Sequence, residues 1–174
     1  MYQLRPLQMK DSQRMLEWMH DSDTMKYLRF DGSSQTLEDV KSFITESILH
    51  ENIHVHRAIV DSMDQYCGTV SLKNIQNGAA EFAIVLHPDS VGKGAGSKAT
   101  KDFLYEAFAI FGLKKIYLNV MHTNLSAIHI YEKLGFRFVR SSTEMIRGLY
   151  TKLDWYEIKW EDLQNEAISV CADV

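Results

Sequence analysis

Apolar positions recur along this chain in two periods, and the places where one period gives way to the other mark the elements. A short strand at Tyr2–Pro6 comes first. Met15, Leu16, Trp18 and Met19 then fall at helical spacing behind Asp11, which is placed to cap that helix. Thr36 followed three residues later by Asp39 opens a second helix, with Val40, Phe43, Ile44, Ile48 and Leu49 as its apolar face. The period then shortens to two. Ile53–Val60 alternates, Tyr66–Leu72 follows the polar turn at Ser62–Gln65, and Asn77–Gly78 marks a hairpin turn into Ala79–Leu86. Pro88 ends strand pairing there, because it has no backbone N–H to donate.

Helical spacing returns over Ser97–Phe111, where Phe103, Leu104, Ala107 and Phe108 form the buried stripe and Gly112 is placed to stop the helix. Ile116–Val120 reads as a strand, Asn124–Leu134 as a helix stopped by Gly135, and Phe136–Arg140 as another strand. Leu153–Trp160 has the aromatic and branched content of a last strand. The order is strand, two helices, three strands, helix, strand, helix, two strands. That order predicts a mixed α/β domain, α+β-like, in which an antiparallel meander leads into a helix-connected region. Strand and helix do not alternate throughout, which disfavours a doubly wound nucleotide fold.

No repeat, low-complexity tract or linker divides the 174 residues, so one domain over residues 1–174 is expected. The 45% apolar and 24% charged content is that of a soluble globular protein. A net charge of −4 argues against a nucleic-acid binder and mildly favours a neutral or cationic substrate. The opening MYQLRPLQMKD lacks the apolar run of a signal peptide, and no stretch reaches a membrane span, so a cytoplasmic protein without a membrane partner is expected. Cys67 and Cys171 are the only cysteines and show no paired spacing, which suggests neither a disulfide framework nor a zinc knuckle. His54 and His56 alternate on one strand face, but no third ligand has metal spacing to them, so no metal is expected.

The stretch VGKGAGSKAT, residues 91–100, carries three glycines. A Walker A loop is excluded, because Lys98 follows Ser97 rather than glycine and Ala99 stands where the magnesium-binding hydroxyl belongs. A dinucleotide fingerprint is excluded because Gly92, Gly94 and Gly96 are each two apart. What remains is a strand end, a glycine turn and a helix N-terminus whose free N–H groups suit a pyrophosphate, with Lys93 and Lys98 adding charge. On the loop alone, a surface turn capped by Ser97 is an equal reading.

Downstream, NLSAIHIYEKLGF runs from Asn124 to Phe136. Together with the loop, it resembles the GCN5-related N-acetyltransferase (GNAT) superfamily. The match rests on Gly94 and Gly96 in the loop and on Asn124, Ala127, Tyr131, Lys133, Gly135 and Phe136 in the later helix. Val91 stands where many members carry glutamine or arginine, which points toward the branch resembling ribosomal-protein-alanine acetyltransferases. That branch also resembles sugar-nucleotide N-acetyltransferases. The resemblance implies a central, mostly antiparallel sheet with a V-shaped splay between its fourth and fifth strands, flanked by about four helices. It also implies acetyl-CoA as cosubstrate and direct transfer to a primary amine.

Such transfer needs a neutral nitrogen and a proton for the departing thiolate. The resemblance assigns the base to Glu81, directly or through a water, and the acid to Tyr131; a solvent-side carboxylate and a packed ring are the alternatives. It gives the pantetheine arm to the backbone of Ile84, Val85 and Leu86, and the pyrophosphate to Gly92, Lys93, Gly94, Ala95, Gly96 and Ser97, with Asn124 bonding the cofactor arm as well as capping its helix. Arg29, Phe30, Tyr150 and Trp155 are expected to line the acceptor groove, with His122 in reserve at the cleft edge. The acceptor is expected to be a small molecule or a protein, as an amino sugar nucleotide or a protein N-terminus. A buried, inert Cys67 is expected, and edge strands with an aromatic tail suit a homodimer. The alternative is a fold-retaining acyl-CoA-binding domain without catalysis.

Overall fold

In a computed structural model, which describes residues 1–163, the chain forms a seven-stranded sheet in the order β1-β2-β3-β4-β5-β7-β6. The strands are β1 (Gln3–Pro6), β2 (Val55–Val60), β3 (Tyr66–Gln76), β4 (Ala79–Leu86), β5 (Lys115–Met121), β6 (Arg137–Ile146) and β7 (Leu149–Lys159). The helices are α1 (Ser12–Met19), the one-turn α2 (Ser22–Met25), α3 (Leu37–Leu49), α4 (Ala95–Ala109) and α5 (Leu125–Lys133). All neighbouring strands run antiparallel except β4 and β5. Each strand and helix read from the sequence is present, with α2 as an addition. Cys171 lies outside the described residues.

The two sheet faces are covered differently. On one face, Val70 and Leu72 of β3, Ala80 and Phe82 of β4, and Ile116, Leu118 and Val120 of β5 pack with Phe103, Leu104 and Ala107 of α4 and with Tyr131 of α5. On the other, Met15, Trp18 and Met19 of α1 and Val40 and Ile44 of α3 cover Ala58, Val60 and Tyr66. This second layer covers β2 and β3 and does not extend over β5, β7 and β6.

Three local expectations are corrected. Asp11 sits at the α1 N-cap but makes no side-chain cap bond. Its buried carboxylate is taken by Arg5, at 2.7 and 2.8 Å, and by the Gln8 N–H, because a charge removed from water requires a cation. The apolar face of α3 is narrower than the spacing predicts. Val40, Ile44 and Ser47 are buried, whereas Phe43, Ile48 and Leu49 are exposed and Phe43 lies edge-on to the His56 ring. The Thr36–Asp39 capping box does form, with Asp39 N–H donating to Thr36 Oγ1 at 3.3 Å and Thr36 N–H to Asp39 Oδ2 at 2.8 Å. The third correction concerns the start of α4 and belongs to the site.

Candidate active site

The sheet opens between β4 and β5. Their parallel pairing consists of Ala79 with Lys115, Ala80 with Ile116 and Glu81 with Tyr117, and it ends there. Beyond Glu81, β4 continues to Leu86 in register with β3 alone, and β5 continues to Met121 in register with β7 alone. The two strands therefore form a V with Glu81 and Tyr117 at its vertex. The β4 edge from Phe82 to Leu86 presents its outward backbone groups to the gap, as one more strand would require. Ile84 and Leu86 pack toward α4, and Val85 toward the α1–α3 side, so these side chains are packing groups and the backbone carries any ligand contact.

At the open end of β4, His87 fixes the turn. Its Nδ1 accepts from Arg14 Nη2 at 2.9 Å and from the Asp89 N–H at 3.2 Å, so Nε2 carries the proton and donates to Glu17 at 3.0 Å. The loop is thereby tied to α1. The α4 helix begins at Ala95, two residues before the position read from Ser97, and its cap is Gly94. Gly94 is left-handed at φ 80°, as is Gly92 at φ 74°, conformations that a residue with a Cβ adopts at a cost. A side chain at either would project into open space, so both glycines serve the backbone path, and Gly94 offers no side-chain cap to the first turn. Gly96 is buried for another reason: a Cβ there would lie 3.3 Å from Leu86 Cδ1. Ser97 is half-buried in the first turn and Lys93 is exposed, while Lys98 is ion-paired with Asp102.

Across the V, Asn124 caps α5 by accepting the Ala127 N–H at 3.3 Å through Oδ1, which leaves its amide N–H groups for another partner. Tyr131, 8% exposed, sets its ring edge-on to Phe82 and Phe136, with centroids 6.2 and 5.7 Å away. Burial pushes its phenol up, so it holds its proton well above neutral pH. Tyr131 therefore abuts Phe82 on one sheet face, while Glu81, the preceding residue of β4, points to the opposite face. The two candidates flank one point of β4 from its two sides.

Glu81 is half-buried and accepts from Asn119 Nδ2 at 3.1 Å and, more distantly, from Asn74 Nδ2 at 3.5 Å. The neighbouring Tyr117 phenol is pushed up, first by burial and then by the Glu81 carboxylate. The chain of contacts continues along this face. Asn119 Oδ1 accepts from Arg29 at 3.2 Å, Arg29 donates to Glu144 at 2.5 Å, Ser142 donates to Glu144 at 3.2 Å, and Trp155 Nε1 donates to Ser142 at 2.8 Å. Arg140 covers the Trp155 ring at 4.6 Å. The structure thus joins Glu81, Arg29 and Trp155. Phe30 sits beside them, edge-on to Trp18, whereas Tyr150 lies at the tip of the β6–β7 hairpin, 80% exposed and apart from this network. Ser142 and Glu144 lie in the segment Ser142–Tyr156 that the sequence offers for the acceptor, whereas Asn119 escaped the sequence reading. Its signal is the period-two polar set of Tyr117 and Asn119 against apolar Ile116, Leu118 and Val120.

His122 ends up bonded to buried Asp154, Nδ1 to Oδ2 at 2.5 Å, with Ser141 donating to the same carboxylate. Cys67 is buried. Among the described residues, no group of three or more His, Cys, Asp or Glu is placed to hold a metal ion, and no helix is long and apolar enough to cross a membrane.

The family model of the GNAT acetyltransferase domain matches residues 2–137 of this chain. The chain belongs to the GNAT family. Spermidine N(1)-acetyltransferase of Escherichia coli (strain K12) is 33% identical over 140 residues, covering 76% of this GNAT chain and 71% of that protein. The corresponding enzyme of Vibrio cholerae is 29% identical over 135 residues, 76% of this chain and 77% of that one. Among solved structures, spermidine N-acetyltransferase from Vibrio cholerae in complex with CoA and spermine superposes with a TM-score of 0.85 at 26% identity, over 94% of this chain and 98% of that chain. This GNAT protein is an acetyl-CoA-dependent N-acetyltransferase. The ribosomal-protein branch suggested by Val91 finds no support among these relatives, whose names point to polyamines.

Proposed function

We propose that this enzyme acetylates a primary amine of a small cationic polyamine, with Glu81 as proton acceptor and Tyr131 as proton donor. The observation that carries the reading is the setting of Glu81. It is half-buried at the vertex of the V and is held by the amides of Asn119 and Asn74, with no ion pair among the described residues. An unneutralised carboxylate at the throat of a cleft attracts an ammonium group, which loses one proton to solvent before it reacts as the neutral amine. The two arginines on that face are already engaged, Arg29 with Glu144 and Arg140 on Trp155, which weakens the case for an anionic nucleotide sugar. The names of the relatives from Escherichia coli and Vibrio cholerae support the same acceptor class.

Acetyl-CoA supplies the activated acyl group as a thioester. The residues present fit it: the Phe82–Leu86 edge for an amide-rich arm, and the uncapped first turn of α4 behind two side-chain-free positions for a pyrophosphate. The acceptor nitrogen, approaching from the Glu81 face, forms the new C–N bond as the C–S bond breaks. Glu81, directly or through a water, removes the proton that the newly bonded nitrogen sheds. Tyr131, protonated because it is buried, returns a proton to the departing thiolate from the other face. The balance is amide plus free thiol, with no other reactant.

The test is an acceptor panel at fixed acetyl-CoA: spermidine, spermine, a simple monoamine, an alanine-initiated peptide and an amino sugar nucleotide. The expected result is a kcat/KM for the polyamines at least about tenfold above the others, a difference of about 1.4 kcal/mol. Preference for the peptide or the sugar nucleotide would overturn the acceptor assignment and leave the transferase intact.

A further inference from the structure

The segment between α2 and α3 is fastened on both sides of Arg29. Tyr27 packs on Met121, Ile146 and Leu153, and Phe30 packs edge-on to Trp18 with ring centroids 6.1 Å apart. Between these anchors the Arg29 guanidinium spans the groove. One nitrogen donates to Asn119 Oδ1, 3.2 Å away, and another to Glu144 Oε2 at 2.5 Å. Asn119 is the residue that also holds Glu81. Glu144 is itself aimed by Ser142, which is in turn aimed by the Trp155 indole. A carboxylate positioned this carefully, within the hydrogen-bonded network that reaches Glu81, is a receptor for a cation, and the cation it holds is part of the protein.

We infer that Arg29 is a tethered competitor for the distal ammonium of the acceptor: it holds Glu144 and yields it to a substrate bearing a second positive charge. This deepens the polyamine reading above and rests on it. Arg29 and Glu144 are 47% and 31% exposed, so their bond is a solvent-screened ion pair, weak enough for a diffusible diammonium to displace. A monoamine has nothing to offer Glu144 and leaves Arg29 in place. Arg29 is thus a specificity residue acting through Glu144, and its signature is the KM for acceptors with a second positive charge relative to that for a monoamine.

The experiment measures kcat and KM separately for spermidine and for butylamine in the wild type and in R29Q, R29K and E144Q. Removing the competitor in R29Q is expected to lower the spermidine KM about two- to fivefold relative to the butylamine KM of the same variant, the range of a surface ion pair, because any effect passed through Asn119 to Glu81 falls on both amines alike. R29K keeps the tethered charge and is expected to retain the wild-type KM, a rescue that separates charge from folding. E144Q removes the receptor and is expected to raise the spermidine KM about three- to tenfold, again relative to butylamine. A ratio of spermidine KM to butylamine KM in R29Q that is unchanged or higher overturns the inference and leaves the polyamine reading standing. A wild type that acetylates another amine but no polyamine overturns both.

Discussion

The β1–β4 half of the sheet and the β5–β7–β6 half are built to different rules. In the first, Tyr66 to Leu72 of β3 are seven consecutive buried residues, covered by α4 on one face and by α1 and α3 on the other. In the second, β7 alternates, and β6 is exposed along most of its length, bulged at Val139 where the register slips between Phe138 and Arg140. Three residue pairs join the halves. The difference separates two tasks. The covered half presents the β4 edge, which the proposed mechanism gives to the cosubstrate; the half-open one carries the polar side chains that it gives to the acceptor. In that mechanism the chemistry falls at the seam, where Glu81 and Tyr131 flank β4 from its two faces.

That division is sharpest at Tyr131. If the buried phenol supplies the leaving-group proton, Tyr131→Phe lowers kcat by about 10²-fold or more while CoA still raises the melting temperature as in the wild type. Unchanged turnover would remove the acid role. The next largest effect is on stability. A Cβ at Gly68 in β3 would lie 2.4 Å from the Val85 carbonyl oxygen, a backbone atom that cannot step aside. Gly68→Ala is expected to cost about 2–4 kcal/mol by chemical denaturation, whereas Val139→Ser on the exposed β6 bulge stays within about 0.5 kcal/mol. Equal costs would mean that the halves are not unequal in packing.

A smaller effect comes from His56, in the covered half. Its ring lies between Phe43 and β3, Nδ1 bonded to Ser71 Oγ at 2.8 Å. Burial first, then Lys73, His54 and Arg57, lower its pKa from 6.5 to about 4. Between those values the unfolded chain binds a proton that the folded one does not, so stability rises with pH through that window and is lost as pH falls toward 4. The contribution is at most about 2 kcal/mol once partial solvent access is allowed for. His56→Gln flattens that slope in urea titrations between pH 4 and 6.5; an unaltered slope would assign acid sensitivity to other groups.

The sequence revealed most of this architecture because burial leaves period and composition behind. The seven strands and the long helices follow from spacing, and the vertex of the V is bounded by residues that could be named: Glu81 by resemblance, Asn77–Gly78 by turn chemistry. The failures have physical causes. The early start of α4 was hidden because glycine, with no side chain to donate or accept, leaves no capping signature. The β3 extension to Gln76 was missed because its last residues alternate on an exposed end, unlike the continuous run before them. The acceptor network was out of reach because Arg29, Asn119 and Glu144 meet across separations of 90 and 115 residues, and a hydrogen bond between side chains leaves no local trace.

The hairpin turn at Gly78 also has a mechanical meaning. Its carbonyl oxygen accepts from both the Lys114 and Lys115 N–H groups, at 2.7 and 3.2 Å, and so pins the start of β5 to the closed end of the V. That point is a fulcrum, and the run of β4 from it to Leu86 is a lever arm of about 27 Å at strand rise. A rotation of about 2° about the pin displaces the mouth by about 1 Å, the scale on which a hydrogen bond is made or lost. The width of the V at its mouth is therefore set, with amplification, by a tight turn at the far end of the sheet.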